Sequence, residues 1–425
     1  MDMNTCLCDF GAASDGKTLC THALQSAIDA CASTGGGRVT VPAGKYKIGT
    51  VWLKNHVELH LAMGAELIAS ENLDDYNALD AYEQNASCEA EGWVGKHLII
   101  AHEVTDVAIT GLGTVNGNLH AFVYRVDSAA DKMYGWCHGR SELRDKQKMR
   151  PGQLICFIEC KNVRVQDITI LDSPCWSCFL HGCEYVQIRG VQIRNPIWML
   201  NSDGIDIDAC RHVTVSDCII ETGDDAITLR ACEQRLKNKD MHCEYVTVTN
   251  CVLRTGICAF RIGVGTGVIR HARIHGIVIK QALNVVQLCT AYGERGRADI
   301  EDVHFSDISA DHTDRLLQAF AKNGAYIKNV SMQNVRTTAD VMTSVEAIDG
   351  SIDGLALRNI EMQYADKSTD LSEKEYAYRG SNLLLFSGAS GVTLENFRIH
   401  GGLYGVEESV CIEGCADFEK HRCNF

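Results

Sequence analysis

Asn162-Val-Arg-Val-Gln-Asp-Ile-Thr-Ile170 sets a pattern that returns three times. The copies are Tyr185-Val-Gln-Ile-Arg-Gly-Val-Gln-Ile193, His212-Val-Thr-Val-Ser-Asp-Cys-Ile-Ile220 and Tyr245-Val-Thr-Val-Thr-Asn-Cys-Val-Leu253. Each is a strand of period-two alternation, a polar turn of Asp, Gly or Asn, and a second strand. The first valines, Val163, Val186, Val213 and Val246, are spaced 23, 27 and 33 residues apart. Weaker copies stand at 302–308, 327–335, 355–360 and 392–397. A short repeat with insertions of variable length is the mark of a solenoid. No helix-length amphipathic stretch separates the copies, which excludes leucine-rich and ankyrin-type repeats. An all-β solenoid remains, with inward residues stacked as aliphatic ladders.

The rest of the chain is read outward from that coil. Thr18 to Ser33 has Leu19, Ala23, Leu24, Ala27, Ile28 and Cys31 at helical spacing, and Gly35-Gly-Gly37 ends it. Such a helix would cap the open end of the core. A strand pair is expected to follow, at 38–42 and 44–48. A single domain over 1–425 is expected, with a cap region at 1–50, solenoid turns over 51–400 and a C-terminal cap or tail at 401–425. Polar stretches at 70–96 and 119–149 interrupt the coil. The second carries Trp136, His138, Arg140 and Arg144, and long insertions in a solenoid commonly build its binding face.

Composition narrows the partners. A net charge of −15 with dispersed Lys and Arg argues against nucleic acid. No apolar run is long enough to span a membrane. The 21 cysteines are scattered over 425 residues, unlike the dense framework of a small secreted domain. With no signal-type apolar start, a cytoplasmic protein with reduced thiols is expected. Cys175-Trp-Ser-Cys178 has redox spacing but no following helix to lower a thiol pKa. Cys6-Leu-Cys8 and the Cys411/Cys415 pair lack the second half of a zinc site. All are read as structural thiols.

The chemistry-bearing segments are Asn201-Ser-Asp-Gly-Ile-Asp-Ile-Asp208 and Gly223-Asp-Asp-Ala-Ile-Thr-Leu-Arg230. Asp203 and Asp225 are 22 positions apart, close to one turn of the coil, so they should stack about 4.8 Å apart. Clustered carboxylates push their pKa values apart. One held protonated beside one held ionised suits acid/base cleavage of a glycosidic bond.

These segments, with Asp9-Phe-Gly-Ala12, Gly111-Leu-Gly-Thr-Val-Asn-Gly117, Arg150-Pro151 and Ser173-Pro-Cys-Trp176, resemble the polygalacturonase family, glycoside hydrolase family 28. The resemblance implies a right-handed parallel β-helix and hydrolysis with inversion, without metal or cofactor, on an oligosaccharide such as a pectin fragment. It gives Asp224 the role of general acid, and Asp203 and Asp225 that of holding and deprotonating water. An inverting pair is expected about 6.5–9.5 Å apart. Asp206 is read as a supporting carboxylate, Asp208 as solvated or bonded to a turn, and Asn201 as orienting Asp203 or bracing the turn.

The family's Gly-His-Gly segment is here Thr255-Gly-Ile-Cys-Ala-Phe-Arg-Ile-Gly263, without histidine. Its Arg-Ile-Lys segment is here Ala282-Leu-Asn-Val-Val-Gln-Leu288, without either cation. Arg230, Arg261 and Gln287 therefore become substrate-contacting candidates, together with Asn201 and Asp206 beside the catalytic set. Exo action is expected, because the insertions are placed to close one end of the groove. A uronic-acid lyase or epimerase on the same fold, or a non-catalytic carbohydrate binder, is the alternative.

Overall fold

The structure, a computed structural model, describes residues 4–126, 140–145, 149–292, 296–364, 382–401 and 408–425. The chain winds as a coil with three short strands to a turn. One turn is Ile155–Ile158, Lys161–Gln166 and Thr169–Leu171; the next is Cys178–His181, Glu184–Arg189 and Gln192–Arg194. Each strand pairs in parallel with its counterpart one turn away. Val163 sits against Val186, Val186 against Val213, and Val213 against Val246, the register the repeat predicts. The same ladder continues through Ala272, Val303, Val330 and Leu355. The turn at Ala272 escapes the sequence pattern because alanine replaces the leading valine and one 22-residue strand, Val268–Cys289, runs through the corners. This is a right-handed parallel β-helix.

The polar turn of each repeat has a steric cause. Asp167, Gly190, Asp217, Asn250, Gly276, Asp307, Asn334, Asn359 and Asn396 all have φ between 49° and 67°. Only Gly, Asn and Asp enter that left-handed region at low cost. Their side chains then bond from turn to turn, as Asn334 to Asp307 (2.9 Å), Asn359 to Asn334 (3.0 Å) and Asn396 to Asn359 (2.9 Å).

Inward Val, Ile and Leu side chains merge into one continuous core. Cysteines form a ladder of their own: Cys160, Cys183, Cys210 and Cys243 are free and buried on successive turns, each just before the register partners Lys161, Glu184, Arg211 and Glu244. Burial pushes the Cys178 thiol up to about 12, so the Cys175/Cys178 pair is structural, not a redox thiolate. Cys6 and Cys8 correct the expectation of reduced thiols throughout, because they are joined in a disulfide.

The capping helix, α1 (Thr21–Ser33), starts three residues later than expected, since Asp15–Leu19 is a strand paired with Gly44–Ile48. Leu19 is therefore exposed, while Leu24, Ala27, Ile28 and Cys31 are buried under the helix. The two strands after it pair not with each other but with Val57–Leu61 and Ala65–Ala69 of the next turn. At the other end Glu408–Glu413 and Glu419–His421 still pair with the preceding turn. The 70–96 insertion is pinned by Trp93–Val94 pairing with Arg150–Pro151. The second insertion carries an antiparallel hairpin of Val123–Val126 and Arg140–Leu143; Trp136 and His138 lie outside the described residues. Among the described residues no helix is long and apolar enough to cross a membrane.

Candidate active site

The carboxylates are placed by the stacking of one strand face, Cys178–His181, Ile205–Asp208, Ile227–Ala231 and Cys258–Gly265. The backbone bonds Ser177 N–H to Asp203 O (2.8 Å), Gly204 N–H to Asp225 O (2.9 Å) and Ala226 N–H to Cys258 O (2.8 Å) put Trp176, Asp203, Asp225 and Cys258 at equivalent positions on four turns. Such tight stacking leaves no room for a side chain at either signature glycine. A Cβ on Gly223 would stand 2.1 Å from Met199 O, and one on Gly204 would stand 2.4 Å from Ala226 O. Ser202 ties the two segments together, accepting from Gly223 N–H (2.9 Å) and donating to Met199 O (2.8 Å).

Asp203, Asp224 and Asp225 converge so that one oxygen of each lies within 4.8 Å of the others. Their surroundings differ. Both oxygens of Asp225 are held by Arg261, through Nε and through Nη2 (3.1 Å), and Oδ1 also accepts Cys258 N–H (3.2 Å). Asp224 accepts the N–H groups of Asn201 and of Asp225 (both 3.0 Å), and Thr222 and Thr255 both donate to its carbonyl. Burial, and then the charge of Asp225, raise its carboxyl from 3.8 to about 6. Asp203 is 5% exposed and its Oδ1 has no protein partner. Burial first, then the Asp224, Asp206 and Asp225 charges, push its carboxyl well up.

The other expected residues fall around this cluster. Asp206 is fully buried and accepts from Thr228 Oγ1 (2.6 Å); burial lifts its carboxyl to about 7 against the opposing pull of Arg230 and Thr228. Asp208 is buried rather than solvated, accepting Cys232 N–H (2.7 Å) just beyond its partner strand. Arg230 lies between Asp206 (3.8 Å) and Asp208 (3.4 Å), with its guanidinium 4.5 Å from the Trp176 ring centre. Asn201 braces Asp224 through its backbone, not Asp203, and its Oδ1 accepts from Arg150 (2.8 Å). Arg261 donates to Gln287 as well as to Asp225, and Gln287 donates to Gln318 (2.5 Å).

Arg150 and Asn195 brace the site as well. Arg150 is buried and also donates to Leu200 O (3.1 Å) and Glu91 O (3.0 Å). Asn195 joins Ser173, Ser177 and Ser202. Neither carries a periodic signal, because each serves turns distant in sequence. Trp93, Trp176, Phe179 and Tyr82 line a cavity of about 380 Å³ beside Arg230 and Asp208. The three aspartates are also close enough to hold a cation, whereas the thiols of the Cys6/Cys8/Asp9 group are spent in a disulfide.

A probable polygalacturonase of Vitis vinifera is 31% identical over 232 residues, 53% of this chain and 44% of that protein. An exo-poly-alpha-D-galacturonosidase of Dickeya chrysanthemi is 27% identical over 255 residues, 52% of this chain and 41% of that protein. The chain thus spans less than half the length of these curated relatives. A family 28 exopolygalacturonase of Yersinia enterocolitica shares the fold with a TM-score of 0.73 and 19% identity, over 99% of this chain and 78% of that one. The profile of glycosyl hydrolases family 28 matches residues 31–377. That stretch holds the repeat, both aspartate segments and the Arg261 turn, and by it the chain belongs to glycosyl hydrolases family 28.

Proposed function

We propose that the protein is a glycoside hydrolase that cuts an O-glycosidic bond in a pectin-like or other plant-derived oligosaccharide by single displacement with inversion, acting from a chain end. The observation that carries this reading is the division of labour among three adjacent carboxylates. Asp224, raised to about 6, is the general acid that protonates the leaving oxygen. Asp225, in contact with the Arg261 guanidinium, is the base. Asp203, with a buried and unpartnered oxygen, holds the attacking water beside it. End-wise action rests on the aromatic cavity, one wall of which is built by the 70–96 insertion.

One observation favours a second reading. One oxygen of each acid lies within 4.8 Å of the others, a close grouping that brings double displacement into consideration, since its two carboxyl groups stand about 5–5.5 Å apart. Proton NMR of the first-formed anomer, on a panel of aryl glycosides and pectic oligosaccharides, decides between them. Inversion is expected. A retained anomer overturns single displacement, and an unsaturated product overturns hydrolysis.

A further inference from the structure

The cation expected to grip substrate is committed elsewhere. Arg261 uses its Nε and Nη2 on the two Asp225 oxygens and its Nη1 on Gln287 Oε1. A guanidinium has five N–H donors, and its paired edges are what bind a carboxylate in fork geometry. The Nε/Nη2 edge is filled by Asp225, and the other edge has already given one donor to Gln287. The amide of Gln287 in turn donates to Gln318 Oε1 at 2.5 Å. Arg261, Gln287 and Gln318 stand in register on three consecutive turns, so the parallel ladder itself aligns the chain of contacts. The Tyr292 ring centre lies 5.8 Å from the guanidinium.

We propose that Arg261, Gln287 and Gln318 form a positioning relay that orients Asp225 as the base, instead of binding the substrate's charge. The proposal rests on the hydrolase reading above. It accounts for the missing histidine and the missing Arg-Lys pair together. An arginine stands on the strand beside the acid pair, and a glutamine stands in register to support it. Gln287 Oε1 is thereby turned to Arg261 and Gln287 Nε2 to Gln318, so neither end is presented first to a sugar.

The test uses the full chain with Arg261→Gln, Arg261→Lys, Gln287→Leu and Gln318→Ala, each checked for cooperative melting. For Arg261→Gln, kcat falls about 100-fold, the scale of one base contribution, with KM within about threefold. Arg261→Lys restores about tenfold of the loss, and Gln287→Leu and Gln318→Ala give smaller kcat losses in the same direction. A KM rise of about tenfold or more with kcat unchanged makes Arg261 a substrate grip and overturns the proposal, as do wild-type kinetics in all four variants. A second readout needs no turnover. The Arg261 Nε–H resonance is protected from exchange in the ligand-free protein and loses protection in Asp225→Asn. An unprotected resonance overturns the relay, whereas protection in a protein that hydrolyses nothing leaves the pair intact and sinks the hydrolase reading alone.

Discussion

Asp224 is the residue on which acid chemistry and stability meet. Its carboxyl is raised from 3.8 to about 6 by burial and by Asp225. A group raised in the folded state contributes stability that is fully present below its unfolded value and is lost as pH rises through the folded value. The window here is therefore about pH 4 to 6, and above it the buried carboxylate opposes folding. Asp224→Asn is expected to cut turnover at least about 10³-fold and to raise Tm at pH 8 by a few degrees. Its Tm at pH 4 should change less. Scanning calorimetry at the two pH values and hydrolysis assays check both, and retained turnover removes Asp224 as the acid. The wild-type rate should decline as pH rises beyond about 6 for the same reason. The aspartate pattern pointed to these residues from sequence. The partner of each did not follow, since Arg230 suited a cleft as well as it suits Asp206 and Asp208.

Among the elements, register is set by more than the aliphatic ladder. Lys161, Glu184, Arg211, Glu244, Arg270, Glu301, Lys328 and Asp353 face one another in alternating sign down one edge of the coil. Arg211 and Arg270 both reach Glu244, at 2.9 and 2.6 Å. A slip by one turn sets like charges side by side. The left-handed corners are the other control. Asn334 at φ 54° is expected to separate conformation from bonding, because alanine and glycine both remove its side-chain bonds and only alanine strains the backbone. Asn334→Ala should be about 1 kcal/mol less stable than Asn334→Gly, read from urea midpoints. Equal midpoints make the corner's cost a matter of hydrogen bonds alone. Strand positions were legible in the strong copies because period two and the corner residue coincide there. At Ala272 the signal faded with the loss of the branched side chain, although the pairing did not.

In the whole molecule, a coil that closes no sheet must guard its ends. Helix α1 covers the first turns with Leu24, Ala27 and Ile28, all fully buried. Ile28→Asp places a charge in that contact and should expose the strand edge, giving concentration-dependent association by light scattering. A monomer with an unchanged melting curve shows that the helix is not needed as a cap. A β-solenoid, its cap and the gathering of Asp203 with Asp225 were determined by sequence alone, because a two-residue side-chain period and a repeat of about two dozen residues stack turn on turn, while the hand of the coil came from the resemblance to a known family. Tertiary structure decided which donor meets which acid. Arg261 reaches Asp225 across 36 residues, and Arg150 reaches Asn201 across 51. Those pairings depend on insertion lengths and on which way a long side chain turns once its strand is in place, and neither leaves a periodic trace in the chain.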